Sequence, residues 1–292
     1  MLTQKSFLDA QQGCLYLVPT PIGNLDDMTF RSVKILKEVD LILAEDTRNT
    51  QKLLNHFEIT TKQLSFHEHN TMQRIPQILD MLKSGKKLAQ VSDAGMPSIS
   101  DPGKELVKAA VENNLNVVPL PGANAGITAL IASGISPQPF LFYGFLQRKD
   151  KLQQAELEDL KNESATLIFY ESPYRLNKTV KNIVKVLGPD RKITLARELT
   201  KKYEEFVRGT GEQILEWTTN ENVRGEFVII VQGNSNPKKE VEDASWENLS
   251  ISAHVQEVIN QTKVKPTIAI KQVAKLRGLS KQEVYDIYHN LK

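Results

Sequence analysis

Cysteine is almost absent from this sequence, since Cys14 is the only one among 292 residues. A single thiol excludes an intrachain disulfide and a thiolate zinc site within one chain. Cys14 lies in an apolar run, which is typical of a small core residue. The five histidines are scattered, and His67 with His69 lack further ligands, so we predict no bound metal.

Targeting signals and long apolar runs are also lacking. Residues 1–12 have neither the charged start nor the continuous apolar stretch of a signal peptide. No apolar run approaches the roughly 20 residues of a membrane span. We therefore expect a soluble cytoplasmic protein without a membrane partner. The net charge of +2 is too small to identify a nucleic-acid partner by itself.

Three motifs of nucleotide-binding and hydrolytic enzymes are missing. The chain has no G-x-x-x-x-G-K-[ST] phosphate loop and no G-x-G-x-x-G after its first predicted strand. It also lacks the G-x-S-x-G turn that presents a nucleophilic serine in many hydrolases. A dinucleotide-binding enzyme and a serine hydrolase of these types are therefore disfavoured.

Short apolar runs alternate with helical patterns along most of the chain, and this alternation predicts an α/β fold. The length suits two domains and an appendage. We place the domains at residues 1–122 and 123–234, followed by a linker and helical segment at 235–292. The predicted strands are residues 15–18, 41–44, 87–91, 117–120, 140–143, 166–170, 193–196 and 227–231.

The C-terminal segment has the pattern of a helix pair joined by a tight turn. Pro266 suits a first helical position, Gly278 a helix end, and Ser280 with Glu283 a capping box. Lysine and arginine outnumber acidic residues between positions 261 and 292. From charge alone, a solvated face and an RNA-binding face are equally good interpretations.

Polar loops follow several predicted strands, at the sheet edge where open α/β proteins bind ligands. Residues 92–103 read SDAGMPSISDPG, and their small side chains expose backbone amides and carbonyls. We interpret this loop as a site for a nucleoside or amino-acid moiety. Residues 19–24, PTPIGN, form a rigid loop that the residues alone do not distinguish from an ordinary turn.

Eight motifs occur in order: LYLVPTPIGNL (15–25), AEDTR (44–48), SDAGMPSISDPG (92–103), PGANA (121–125), YGFL (143–146), YESPYR (170–175), ARELTK (196–201) and RGEF (224–227). In this order they resemble the tetrapyrrole methylase superfamily of S-adenosylmethionine enzymes, and within it the branch that methylates ribosomal RNA. The resemblance covers about residues 13–233, and more loosely the tail. It implies two α/β domains with the cofactor in the cleft between them, and a homodimer.

The resemblance also implies positions for the methyl donor, S-adenosylmethionine. The expected cofactor-binding residues are Pro21, Ser92, Asp93, Gly95, Ile99, Asn124, Ala125, Glu171, Ala196 and Glu226. It implies that the reaction is 2′-O-methylation of a cytidine in the decoding region of 16S rRNA in the small ribosomal subunit, and no DNA partner is expected. A sugar hydroxyl is a poor nucleophile, so a base is expected. The sequence does not choose among Glu45, Asp46, Glu171 and Glu198.

Basic residues near the strand ends and in the tail are expected to bind RNA phosphates. They are Arg48, Arg175, Arg197, Lys201, Lys271, Lys275, Arg277 and Lys281. Two alternatives stay open at this point: a tetrapyrrole methyltransferase of the same superfamily, and a non-catalytic ribosome-assembly protein. The basic residues argue against the first alternative, and the intact 92–103 loop argues against the second.

Overall fold

The computed structural model describes residues 3–6, 13–221, 223–237, 249–289 and 291. Contacts divide the chain into two compact units, Met1–Asn236 and Pro237–Lys292. Among the described residues, no helix has both the length and the apolar character needed to cross a membrane. The domain boundaries expected near residues 122 and 234 stay predictions.

The first unit begins with an all-parallel sheet in the order β3-β2-β4-β1-β5. Its strands are β1 (Cys14–Leu17), β2 (Leu41–Ala44), β3 (Gln63–Ser65), β4 (Lys87–Val91) and β5 (Asn116–Pro119). The helices between them are α1 (Phe30–Glu38), α2 (Thr47–His56), α3 (Thr71–Lys83) and α4 (Lys104–Glu112). Ile42 packs with α1 and α2, whereas Leu43 packs with α3 and α4. Both faces of the sheet are therefore covered, as parallel sheets require.

A second, mixed sheet follows in the order β6-β7-β10-β8-β9. Its strands are β6 (Phe140–Phe145), β7 (Thr166–Glu171), β8 (Lys192–Arg197), β9 (Glu205–Thr210) and β10 (Phe227–Val231). Its helices are α5 (Ala125–Ala132), α6 (Asp150–Asp159), α7 (Pro173–Leu187) and α8 (Gly211–Asn220). Only β6 and β7 pair in parallel, and β10 runs antiparallel to both of its neighbours. The predicted α/β fold class is confirmed.

The second unit consists of α9 (Ile251–Thr262), α10 (Pro266–Arg277) and α11 (Lys281–Tyr288) around a small apolar core. The helix-pair prediction is confirmed, because Pro266 begins α10, Gly278 ends it at φ +66°, and the Ser280 capping box is formed. Arg277 donates hydrogen bonds to the Leu249 carbonyl at 2.6 Å and to His254 Nδ1 at 3.1 Å. These bonds join the start of α9 to the end of α10.

A buried polar network joins α6 and α7 to the end of β7. The Glu171 carboxylate accepts a hydrogen bond from Thr179 Oγ1 at 2.6 Å and from the Ser172 amide at 2.8 Å. Gln153 Nε2 donates to Thr179 Oγ1 at 3.1 Å. The side chain of Glu171 is only 1% exposed, and its Oε2 also forms an ion pair with Arg175 Nη2 at 3.1 Å. A buried carboxylate is stable only with such partners.

We predict that Thr179→Val destabilises the first unit by about 1–3 kcal/mol, because it removes one donor to Glu171 and the acceptor of Gln153. Urea unfolding followed by circular dichroism will measure this as a lower midpoint. Thr60→Val makes the same change at an exposed position and serves as the control. Identical midpoints for Thr179→Val and the wild type would contradict the role of this network.

Candidate active site

A cavity of about 460 Å³ lies among the strand-end loops of the first unit. This volume falls within the roughly 300–1,000 Å³ typical of small-molecule sites. Its walls are mainly apolar, with a few carboxyl, amide and amine groups. The lining residues are Ile22, Ala94, Gly95, Met96, Ile99, Ser100, Asp101, Asn124, Ala125, Phe145, Tyr170, Glu171, Ser172, Pro173, Ala196, Leu199, Lys201, Glu226, Phe227 and Val228.

The 92–103 loop is fixed to the loop after β1 by backbone hydrogen bonds. Gly95 and Thr20 exchange two N–H···O bonds of 3.0 Å each, and Thr20 Oγ1 donates to the Ser92 carbonyl at 3.1 Å. Gly95 adopts a φ of +78°, and a Cβ there would lie 3.3 Å from Ile22. The loop therefore places the backbone of Gly95, which has no side chain, in the wall of the cavity.

Gly103 fixes the far end of the same loop. Its φ is +138°, and a Cβ at this position would lie 1.9 Å from Gln90 Nε2. Gln90 Nε2 instead donates to the Pro102 carbonyl at 2.7 Å. Because Gln90 belongs to β4, this hydrogen bond fixes the end of the loop to the strand that precedes it.

On the second-sheet side, Lys201 lies in the wall between two carboxylates. Its Nζ is 2.9 Å from both Glu198 Oε1 and Glu226 Oε2. Glu198 and Thr200 have φ values of +48° and +65°, a rare backbone conformation that is concentrated at functional sites. Burial lowers the pKa of Lys201, but the bonds to both carboxylates outweigh this and raise it. Lys201 is therefore held as a cation.

Most of the predicted cofactor-binding residues do line this cavity. They are Gly95, Ile99, Asn124, Ala125, Glu171, Ala196 and Glu226. Asn124 additionally caps α5 by accepting a hydrogen bond from the Ile127 amide at 2.9 Å. These placements agree with the expected site, while the cofactor role of each residue stays a prediction.

Pro21, Ser92 and Asp93 are predicted residues that do not line the cavity. Ser92 is buried behind the loop, and its hydroxyl donates to the Gly95 carbonyl at 3.1 Å. Asp93 is exposed and turned toward α2, where it accepts hydrogen bonds from Asn49 Nδ2 at 3.1 Å and from the Asp46 amide at 3.3 Å. The Asp93 carboxylate therefore positions the start of α2.

Of the four carboxylates predicted as bases, only Glu171 reaches the cavity, and its oxygens are already bonded. Asp46 caps α2, and hydrogen bonds from Arg48 lower its pKa to about 2. Burial opposes ionisation of Glu198, but hydrogen bonds from Lys201 and the Glu226 amide hold its pKa below the usual value. Asp46 and Glu198 are therefore weak bases.

Glu45 and Asp101 are a different pair of carboxylates near the first-sheet edge. Burial, reinforced by the charges of Asp101 and Asp93, raises the pKa of Glu45. Glu45 Oε2 is buried and has no hydrogen-bond partner among the residues that the structure describes. Asp101 lines the cavity, and burial likewise raises its pKa. Our sequence prediction missed Asp101, although it lies in the favoured loop as the second aspartate of SDAGMPSISDPG. Among the described residues, no group is arranged to hold a metal ion.

The predicted RNA-binding cations near the strand ends already have intramolecular partners. Arg48 pairs with Asp46 at 2.9 Å and Arg175 with Glu171 at 3.1 Å. Arg197 pairs with Glu205 at 3.1 Å and donates to the Arg224 carbonyl at 2.7 Å. Arg48 is still largely exposed, whereas Arg175, Arg197 and Lys201 serve the fold around the cavity.

In the second unit, Arg277 likewise serves the packing of α9 and α10, as described above. Three predicted residues are instead exposed on α10 and α11: Lys271, Lys275 and Lys281. RNA contact by any of these residues stays a prediction.

A family model described as Tetrapyrrole (Corrin/Porphyrin) Methylases matches residues 14–215. Ribosomal RNA small subunit methyltransferase I from Bacillus subtilis (strain 168) is 52% identical over 280 residues, which cover 96% of this chain and 95% of that protein. The protein of the same name from Streptococcus pyogenes serotype M3 is 54% identical over 292 residues, which cover 100% of each chain.

Two solved structures are similar in fold. The cobalamin biosynthetic enzyme cobalt precorrin-4 methyltransferase has a TM-score of 0.57 and 18% identity, covering 75% of this chain and 94% of that one. Uroporphyrin-III C-methyltransferase from Thermus thermophilus, complexed with S-adenyl homocysteine, has a TM-score of 0.52 and 18% identity, covering 75% and 97%. With the sequence relatives, these likenesses confirm the predicted resemblance. The chain belongs to the tetrapyrrole methylase family, in the group of the ribosomal RNA small subunit methyltransferases I.

Proposed function

We propose that this protein transfers a methyl group from S-adenosylmethionine to the 2′-hydroxyl of a cytidine in the decoding region of 16S rRNA. The observation that carries the proposal is the cavity, because the motifs that relate the chain to the family supply most of its wall. Relatives above 50% identity are named for small-subunit ribosomal RNA. The tetrapyrrole enzymes, at 18% identity, support the fold alone.

The cavity residues fit the methyl donor. Ile22, Leu199 and Val228 supply apolar surface suited to an adenine ring, and Asp101 and Glu226 supply negative charge suited to a cationic ligand. The bare backbone at Gly95 leaves space that a Cβ would fill. When bound, S-adenosylmethionine supplies an electrophilic methyl group on a positively charged sulfur.

Asp101 is the residue that we assign as proton acceptor for the ribose hydroxyl. It lines the cavity, whereas Glu45, Asp46 and Glu198 do not, and both oxygens of Glu171 already accept hydrogen bonds. Its raised pKa makes it a stronger base than an ordinary aspartate. Burial is the main cause of this rise, and the nearby charge of Asp93 adds to it. Glu171 and Lys201 hold the cavity wall in place.

The substrate can be tested with tritiated S-adenosylmethionine and three acceptors: small ribosomal subunits, naked 16S rRNA and uroporphyrinogen III. We expect label in ribosomal RNA, with 2′-O-methylcytidine identified by nucleoside mass spectrometry. Label in the tetrapyrrole alone would replace this proposal by the tetrapyrrole methyltransferase. Absence of transfer to any acceptor, with retained binding to subunits, would favour the non-catalytic assembly protein.

We further propose a cytoplasmic homodimer with domains at residues 1–122 and 123–234 and a tail at 235–292 that contacts RNA. An apolar surface supports the dimer, since α5 is apolar on nearly all sides and yet leaves Ile131 75% exposed. Sedimentation velocity should give twice the chain mass for the wild type and a smaller species for Ile131→Asp. A wild-type monomer would exclude the dimer.

We predict that Asp101→Asn lowers kcat for methyl transfer about 100-fold or more, the usual contribution of a general base. Binding of S-adenosylmethionine, measured by calorimetry, should change by only a few-fold. The wild-type rate should fall as the pH drops through the pKa of Asp101, because only the ionised carboxylate accepts a proton, and the variant should lack this dependence. Asp80→Asn makes the same change at an exposed position of α3, outside the cavity, and is the control. Equal rates for Asp101→Asn and Asp80→Asn would contradict the assignment.

For the tail, we predict that replacing Lys271, Lys275 and Lys281 by Ala raises KM for small subunits and leaves donor affinity unchanged. Each lost phosphate contact should reduce the slope of log affinity against log salt by roughly 0.7–0.9. The control replaces Lys34, Lys83 and Lys108, which carry the same charge on helices of the first unit. An equal loss of slope in both triple variants would show an effect of net charge only.

A further inference from the structure

Two aromatic side chains near the cavity are exposed in a way that the methyl-donor site does not explain. Tyr174 is 97% exposed, and it follows the cavity-lining residues Ser172 and Pro173 in the first turn of α7. Phe145 lines the cavity at the end of β6 and is still 56% exposed. Exposed aromatic rings beside a polar site are typical of ligand-binding surfaces.

Hydrogen bonds hold these two chain segments together. Arg175 Nη2 donates to the Leu146 carbonyl at 2.7 Å and is 3.4 Å from the Gln147 carbonyl. Lys178 Nζ donates to the Arg148 carbonyl at 3.4 Å. The start of α7 and the residues after β6 therefore form one surface, to which both rings belong. The Phe145 ring is also supported by the Tyr170 ring, at a centroid distance of 5.8 Å.

The same surface carries positive charge. Arg148 and Lys149 lie three and four residues after the last residue of β6, Phe145, and both are exposed. Within the described part of the chain, neither side chain makes an ion pair. We name Phe145, Arg148, Lys149 and Tyr174 the aromatic–basic patch.

Aromatic rings interleaved with cations match one class of partner, single-stranded nucleic acid. Bases stack on aromatic side chains, and the phosphates of the same strand pair with nearby Arg and Lys. A second copy of this chain is a poorer match, because interface centres are depleted of lysine. The patch is also continuous with the cavity, because Phe145 belongs to both.

We propose that the aromatic–basic patch binds the unpaired nucleotides that flank the methylated one. Phe145 and Tyr174 stack on bases, while Arg148 and Lys149 contact phosphates. This role rests on the proposed methylation of ribosomal RNA and adds the surface that selects an unpaired strand. Duplex RNA, whose bases are already stacked on one another, offers the rings nothing to bind.

The proposal can be tested by steady-state methylation of small ribosomal subunits by Tyr174→Ala, with tritiated S-adenosylmethionine. We expect KM for the subunits to rise about tenfold or more, as loss of a base-stacking contact would produce. Tyr174→Phe should restore the wild-type KM, because it keeps the ring. The donor dissociation constant, measured by calorimetry, should not change, since Tyr174 does not line the cavity. Fluorescence anisotropy with a labelled cytidine dodecamer should show weaker binding by Tyr174→Ala than by the wild type.

Phe30→Ala is the matched control, since Phe30 is another aromatic residue that is 98% exposed but lies at the start of α1 outside the cavity. It should leave KM and dodecamer binding unchanged. If the wild-type enzyme is active and the KM of Tyr174→Ala lies within twofold of the wild-type value, the RNA-binding role of the patch is wrong, whereas the proposed methylation of ribosomal RNA still holds. A wild-type enzyme that labels no ribosomal RNA would overturn the proposed function as well. A changed sedimentation coefficient for Tyr174→Ala would assign the patch to a contact between copies and would also overturn it.

Discussion

The buried carboxylate of Glu171 is the interaction on which the second-sheet half of the active site depends. A charge with 1% exposure is stable only when its oxygens are satisfied. Thr179 and Arg175 meet that need from successive turns of α7, so the carboxylate fixes the direction in which the helix leaves β7. Arg175 then reaches the carbonyls after β6. One buried charge thus sets both a wall of the cavity and the surface beside it.

Much of the fold could be predicted from the sequence because its central strands are continuous apolar runs. The bounds of β2, β4 and β10 match the predicted residues 41–44, 87–91 and 227–231. The edge strands β3 and β9 escaped prediction, since QLS is short and EFVRGT mixes charged and apolar residues. The other two edge strands, β5 and β6, contain apolar runs and were predicted, so composition and length decide which edge strands can be recognised. Helix α5 escaped for the opposite reason, because AGITALIA is too uniformly apolar to show a helical period.

The site could be located from the sequence more easily than its individual residues could be assigned. The small residues of the 92–103 loop pointed to ligand binding, but the loop contains both Asp93 and Asp101. Which of them faces the cavity depends on the positive φ values of Gly95 and Ser98, which turn the backbone between the two aspartates. The roles of the cations depend on tertiary partners in the same way. Lys201 lies opposite Glu226, 25 positions away, and local sequence patterns do not reveal such a pair.

The strand order of the second sheet has a consequence for synthesis of the chain. The first sheet is complete once residue 119 has been made, because all its strands lie before that point. The centre of the second sheet is β10, which lies between β7 and β8 and is made last of its five strands. Until residue 231 leaves the ribosome, the apolar strands β7 and β8 therefore lack their common neighbour β10. Their unpaired edges are prone to pairing with other chains. A nascent chain of this protein has a half-folded interval that spans the translation of about 60 residues, from β7 to β10.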